Sequence, residues 1–237
     1  MPVVTIPIAS VDAITPRSRL VTFDLQGRTL HFEPGQAVMA GAHGQDERRP
    51  YSIACSPERA AETGRLELLI AVEPDGALGA NLGPASPGTR VDLEGPMGSF
   101  GLPPAIGAAW VLFVAGGTGI APLRSMLDHL LRAPAARRLA LLYSARRSDE
   151  FAFIEELRAH AGAGRLDLHQ TVTRNDSAIW TGRRGRIGLD QFDAVLHEPA
   201  ATLCVVCGPE AFVNESVATL KELGVPETQI RTESWGK

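Results

Sequence analysis

The chain has 237 residues, 44% of them hydrophobic and 21% charged, with a formal net charge of -4. This composition can bury one large core or two smaller ones, and it excludes the disordered class. The charge balance argues against a nucleic-acid binder, and no run reaches the ~18 continuous apolar residues of a membrane span.

The opening stretch, MPVVTIPIAS, has no basic segment ahead of an apolar core, so it predicts no secretory leader and a cytoplasmic protein. Up to residue 104 the chain offers short β-type runs: RLVTFDL, TLHFEP, QAVMAG, YSIAC, RLELLIAV and TRVDLEG. Gly, Pro, Asp and Asn clusters divide them and no long helical period appears, so the first half predicts an all-β module of six strands, sandwich or closed barrel. GLPPAIGAA, over 101–109, has the composition of a linker and sets the domains at 1–104 and 105–237.

From Trp110 the pattern alternates. WVLFVA, RLALLYSA, LDLHQTVT, TLCVVC and QIRTESW predict five strands, with helices over 119–132, 149–161, 189–196 and 209–223. Strands apolar throughout and alternating with helices indicate a parallel sheet covered on both faces. The chain has three cysteines, an odd number without a disulfide framework, in agreement with a reducing compartment. Cys204 and Cys207 form a CxxC, but in a strand residues three apart face opposite ways, which argues against a dithiol or zinc pair.

The sequence GGTGIAP, from Gly116, follows a buried strand and opens a helix, where backbone N–H groups favour anions. It lacks the Lys-Ser/Thr of a P-loop and the spacing of GxGxxG, and by itself is compatible with a turn that holds nothing. CGPEAF ends another apolar strand just ahead of a helix. In an open parallel sheet the ligand crevice lies outside such carboxyl ends, so two loops of this kind would frame one site. YSARR ends a third strand and supplies Arg146 and Arg147 for an adenosine ribose or its phosphate, or for a solvated helix start. In RRPYSIAC, Arg49, Tyr51 and Ile53 share one strand face and Ser52 takes the other; the arginine suits a phosphate and the tyrosine a flat ring.

Together these motifs resemble the ferredoxin–NADP reductase family of flavin oxidoreductases, in order, from about Leu20 to Trp235. RPYS looks like the flavin signature, FEPGQAVMA like the strand turn before it, and GPMGSF like the motif ahead of the domain junction. GGTGIAP looks like the pyridine-nucleotide pyrophosphate loop, CGPEAF like the nicotinamide-side motif, and ESW like the terminal Glu-x-aromatic. The resemblance implies a six-stranded antiparallel Greek-key β-barrel that binds flavin, followed by an α/β domain with a five-stranded parallel Rossmann-like sheet that binds NAD(P)H, with the active site where the two domains face each other.

Carried onto this chain, the resemblance assigns Arg49 to the flavin pyrophosphate, Tyr51 to the isoalloxazine or ribityl, and Ser52 to flavin N5, with Pro50 and Val72 beside them. Gly76, Ala77, Leu78 and Gly79 would take the second flavin phosphate. Gly117, Thr118, Gly119, Ala121 and Pro122 would hold the nucleotide, with Thr118 also approaching the flavin. Ser144, Arg146 and Arg174 would meet the adenosine end, where they favour NADPH, with NADH as the alternative. Cys207, Gly208, Pro209 and Glu210 would lie on the nicotinamide side, Cys207 beside C4. Glu233 would orient the ring or relay a proton, and Trp235 would stack on the flavin as a gate.

Two departures stand out. Gly79 occupies the family's serine position, so the hydroxyl contact to the second phosphate is missing; FAD is expected, with FMN as the alternative. Three cysteines also cannot ligate a four-cysteine iron–sulfur centre, so electrons would pass to a separate acceptor such as a ferredoxin, an oxygenase component or a small molecule. The rival functions are a free flavin or quinone reductase and a non-catalytic regulatory subunit.

Overall fold

The computed structural model describes residues 3–72, 82, 85–133, 137–174 and 180–235. The chain divides into two units. One runs through Leu102 and takes in Arg124–Arg132; the other comprises Pro103–Leu123 and the chain from Ala133 onward.

The first unit holds six strands: β1 (Val3–Thr15), β2 (Ser18–Asp24), β3 (Ala37–Ala42), β4 (Arg49–Ser52), β5 (Arg65–Ala71) and β6 (Arg90–Met97). They pair antiparallel in the order β4-β3-β6-β1-β2-β5. Near the two end strands, the described residues show an isolated Ile53–Leu68 bridge and a bond from Ala54 N to Glu67 O (2.8 Å) in place of a continuous ladder, so the sheet is barrel-like without being closed. Its interior is filled by Ile6, Val21, Phe23, Ile53, Leu68 and Val91 among others.

The count of six strands is as expected, but their identity differs. The run 29–34 is not a strand; its Phe32 is buried in the core from a loop. The sixth place belongs to β1. Pro7 argues against a central strand there, yet β1 pairs with β6 over Val3–Pro7 and with β2 from Ile8 onward, so the proline sits at the handover. A short helix, α1 (Pro57–Thr63), was also not expected. Ser56 caps it by accepting from Arg59 N, Pro57 starts it and Gly64 ends it left-handed.

Residues Arg124–Arg132 are the later part of α2 (Ile120–Arg132). Arg124 donates to Ala54 O (2.8 Å) and Glu67 Oε2 (2.6 Å), and Ser125 to Cys55 O (2.6 Å). Asp128 accepts from Ser56 Oγ (2.7 Å) and Arg59 Nε (3.0 Å), with Arg132 Nε at 3.3 Å. Burial alone would raise the Asp128 carboxyl, but the bonds from Arg59 and Ser56 and the charges of Arg59 and Arg132 outweigh it and hold it at about 2. A carboxyl depressed on folding stabilises above its unfolded pKa, and that contribution fades as pH falls from about 4 toward 2, by roughly 2 kcal/mol. In urea titrations from pH 6 to 2.5, Asp128→Asn should therefore be less stable than wild type at pH 6 and converge on it in acid. A gap that stays constant with pH would contradict this account of the cluster.

The second unit carries β7 (Trp110–Gly116), β8 (Arg138–Ala145), β9 (Asp167–Val172), β10 (Arg183–Arg184), β11 (Thr202–Pro209) and β12 (Ile230–Trp235). All pair in parallel, in the order β10-β9-β8-β7-β11-β12. Five are the expected strands; the sixth, β10, has two residues and lies beyond β9. Helices α3 (Ile154–Gly162), α4 (Leu189–Asp193) and α5 (Glu210–Glu222) complete the unit with the start of α2. Leu112, Val114, Leu142, Cys204 and Val206 form a core with Phe192, Val213 and Leu220 from α4 and α5. Val111, Phe113 and Leu141, which face the other way, are equally buried, so the sheet is covered on both faces.

Candidate cofactor and nucleotide sites

In the first unit, Arg49, Pro50, Tyr51 and Ser52 make up all of β4, an end strand whose partner is β3, with Tyr51 opposite Val38 and Ser52 opposite Ala37. Arg49 is exposed, and Glu47 Oε1 lies 3.4 Å from its Nη2, an exposed pair of little strength. Tyr51 packs partly against the barrel core. An accessible guanidinium, a half-buried phenol and a hydroxyl on one edge strand form a donor set suited to a phosphate joined to a flat ring, which is the chemistry of a flavin nucleotide. Val72 follows β5, with its N–H donating to Arg17 O (2.9 Å). Gly76, Ala77, Leu78 and Gly79 lie outside the described residues.

In the second unit, β8, β9 and β10 lie to one side of β7, and β11 and β12 to the other. The point where the strand order reverses is therefore at the carboxyl ends of β7 and β11, where an open α/β sheet takes its ligand. The glycine loop leaves β7 there as a 3-10 turn, Gly117–Gly119, and runs directly into α2. Gly119 is the tightest position of the turn. A Cβ on it would meet Cys207 O at 2.2 Å and Trp235 Cη2 at 2.6 Å, so the loop approaches the neighbouring strand as only glycine permits. Thr118 is half-buried, whereas Ala121 and Pro122 are buried. Pro122 falls in the first helical turn, where no N–H is required.

β11 and β12 run in register, placing Cys207 opposite Glu233, Gly208 opposite Ser234 and Pro209 opposite Trp235. Cys207 Sγ lies 4.0 Å from Glu233 Oε2. Burial, reinforced by the Glu233 charge, pushes the Cys207 thiol far above its usual range, so it is a neutral thiol at physiological pH. Cys204 belongs to the core on the α5 face, and strand alternation turns Cys207 to the opposite one. Trp235 is 37% exposed, and Pro209 and Glu210, at the junction of β11 and α5, are exposed as well.

Ser144 is buried and pairs in register with Gly116 and Thr171. Arg146 and Arg174 are exposed, and Arg174 N donates to Arg146 O (2.9 Å), so the structure brings these two together beyond the ends of β8 and β9. Tyr143 is fully buried, edge-on to Phe151, and its hydroxyl accepts from Ala152 N (3.0 Å). One neighbour escaped the sequence reading: Phe212, four residues after Gly208, whose ring lies against both Gly116 and Gly208. The i,i+4 spacing of a glycine and an aromatic across a helix start was the available signal.

Comparison with known proteins finds two family models, one after the other along the chain. Residues 5–101 match the oxidoreductase FAD-binding domain model and residues 113–217 the oxidoreductase NAD-binding domain model. The chain is 32% identical over 239 residues to ferredoxin–NADP reductase B of Sorangium cellulosum, covering 96% of each protein. It is 41% identical over 134 residues to methane monooxygenase component C of Methylosinus trichosporium, a longer protein of which it spans 38%. Its fold superposes on the Amycolatopsis cytochrome P450 reductase GcoB with a TM-score of 0.83 at 26% identity, covering 98% of this chain and 70% of that one. A glycine cradle at the sheet's reversal point, an Arg-Pro-Tyr-Ser edge strand and full-length kinship to such a reductase place the chain in the ferredoxin–NADP reductase family of FAD- and NAD-binding oxidoreductases.

Proposed function

We propose that this protein is an NAD(P)H-dependent flavoprotein reductase that passes electrons from reduced pyridine nucleotide, through FAD, to a separate acceptor such as a ferredoxin or an oxygenase component. The observation that carries the reading is the close approach of Gly119 to the Cys207 carbonyl, with Glu233 in register beside Cys207. The flavin supplies the exchange of a two-electron hydride for single electrons, and the protein supplies binding, alignment and electrostatics.

On this reading Arg49 neutralises the flavin pyrophosphate, while Tyr51 and Ser52 fix the ring and its reacting edge. The N–H groups of the Gly117–Gly119 turn and the start of α2 hold the nucleotide pyrophosphate. The neutral Cys207 thiol packs against the nicotinamide without adding charge, and the Glu233 carboxylate favours the positive charge that develops on the ring as hydride leaves. Ser144, Arg146 and Arg174 favour a 2′-phosphate and so NADPH, and no acidic residue directly follows Leu-Leu-Tyr in β8 to claim the ribose hydroxyls. Among the described residues no helix is long and apolar enough to cross a membrane, and we place the protein in the cytoplasm, where its three unpaired cysteines would stay reduced.

The test is an absorption spectrum of the purified protein before and after anaerobic NADPH or NADH. The expected result is a set of flavin bands bleached by nucleotide and restored by a one-electron acceptor protein. A colourless preparation that refuses added FAD would overturn the reading, and mass spectrometry of the released group separates FAD from FMN. Turnover with free flavin or quinones that is insensitive to salt would move the acceptor from a docked protein to a small molecule.

A further inference from the structure

Phe212 is the third residue of α5, and its ring does not simply join the core beneath that helix. A Cβ on Gly116 would stand 2.9 Å from Phe212 Cδ1, and one on Gly208 would stand 2.5 Å from the same atom and 3.2 Å from Gly116 Cα. Cys207 is paired with Ala115, so Gly208 and Gly116 are the next residues along the two strands, at the point where the strand order reverses. One flat ring thus covers two adjacent backbones that carry no side chains of their own. It is half-buried, packed on the core at its inner side.

We propose that Phe212 is a positioning residue for the pyridine nucleotide: it is the spacer that fixes the turn after β7 relative to the turn after β11. The inference rests on the reductase reading for the ligand's identity, but its physical content lies in the second unit alone. Neighbouring strands are set about 4.8 Å apart by their hydrogen bonds. The pairing of β7 with β11 ends at Ala115 and Cys207, so no ladder bond joins Gly116 to Gly208, and both turns must present backbone N–H groups to one ligand. A ring wedged against both Cα atoms restrains them through dispersion contacts that any smaller side chain gives up. The two glycines follow from this arrangement, since a methyl group on either would be driven into the ring.

The experiment uses the full-length, flavin-loaded protein and titrates oxidised and reduced nucleotide by difference absorbance, alongside flavin content and the melting temperature. Phe212→Ala should weaken nucleotide binding about tenfold with unchanged flavin content, and should raise KM more than it lowers kcat at saturating nucleotide. Phe212→Leu, which keeps apolar volume but not the flat face, should fall in between and serves if the alanine variant does not fold. Gly208→Ala alone should bind nucleotide worse than wild type, and adding Phe212→Ala to it should restore part of the loss, because the ring that blocks the methyl group is gone. Wild-type affinity in both Phe212 variants, or losses in the double variant that merely add, would overturn the proposal. A wild-type protein that binds no nucleotide would instead count against the reductase reading.

Discussion

Gly119→Ala should slow nucleotide-dependent bleaching of the flavin by about 100-fold while leaving flavin content near that of wild type. The backbone at Gly119 has φ -60, which any residue tolerates, so the argument is one of space and not of strain. The added methyl would sit 2.2 Å from the Cys207 carbonyl oxygen and 2.6 Å from its carbon. Trp235, the third neighbour, can swing aside; the carbonyl cannot, because β11 is hydrogen-bonded to β7 on one side and β12 on the other. The turn must then lift off the strand, and its N–H groups lose their common aim. A displacement of about 1 Å in a positioned group costs on the order of 100-fold in rate. Anaerobic stopped-flow reduction measures it directly, and a rate within a few-fold of wild type would refute the role given to this contact.

The largest effect on stability should come from Arg124→Met. Arg124 is 4% exposed and its Nη1 bonds both the Ala54 carbonyl and the Glu67 carboxylate. Glu67, with a side chain 17% exposed, would lose the guanidinium that faces it inside the fold. Removing one member of a buried ion pair typically costs about 3–5 kcal/mol, whereas replacing both by apolar groups can be nearly neutral. Arg124→Met should therefore be strongly destabilised in urea or thermal unfolding, and Glu67→Leu on the same background should regain much of the loss. Equal destabilisation of the single and double variants would show that the Ala54 contact, and not the charge, is what matters.

Much of this architecture could be read from the sequence because its signals are local. The apolar strands ending in GGTG and CGP, the alternation with helices and the Arg-Pro-Tyr-Ser run all lie within windows of about ten residues, and the structure puts each on the expected kind of element. What stayed hidden depends on partners far along the chain. Pro7 masks β1 because only the switch of partner from β6 to β2 shows why a proline is tolerated there. The run 29–34 has the pattern of a strand, yet it fills the barrel interior from a loop. Arg124, Asp128 and Arg132 recur every fourth residue along a mostly apolar helix, a spacing that hints at a charged seam, but nothing local names Glu67, Ser56 or Arg59 as their partners. Phe212 was visible only as one more aromatic until the two glycines under its ring were placed. The two-residue β10 is too short for any periodic signal.

The buried thiols have a consequence for how the protein fares under oxidative stress. Only the ionised form of a cysteine reacts readily with alkylating agents or peroxides. Burial lifts Cys55 and Cys204 to about 12, and Cys207 is raised as well, with the Glu233 carboxylate adding to its burial. None of the three presents an appreciable anionic sulfur near neutrality. Peroxide that reaches the protein therefore meets all three sulfur atoms in the form it attacks least.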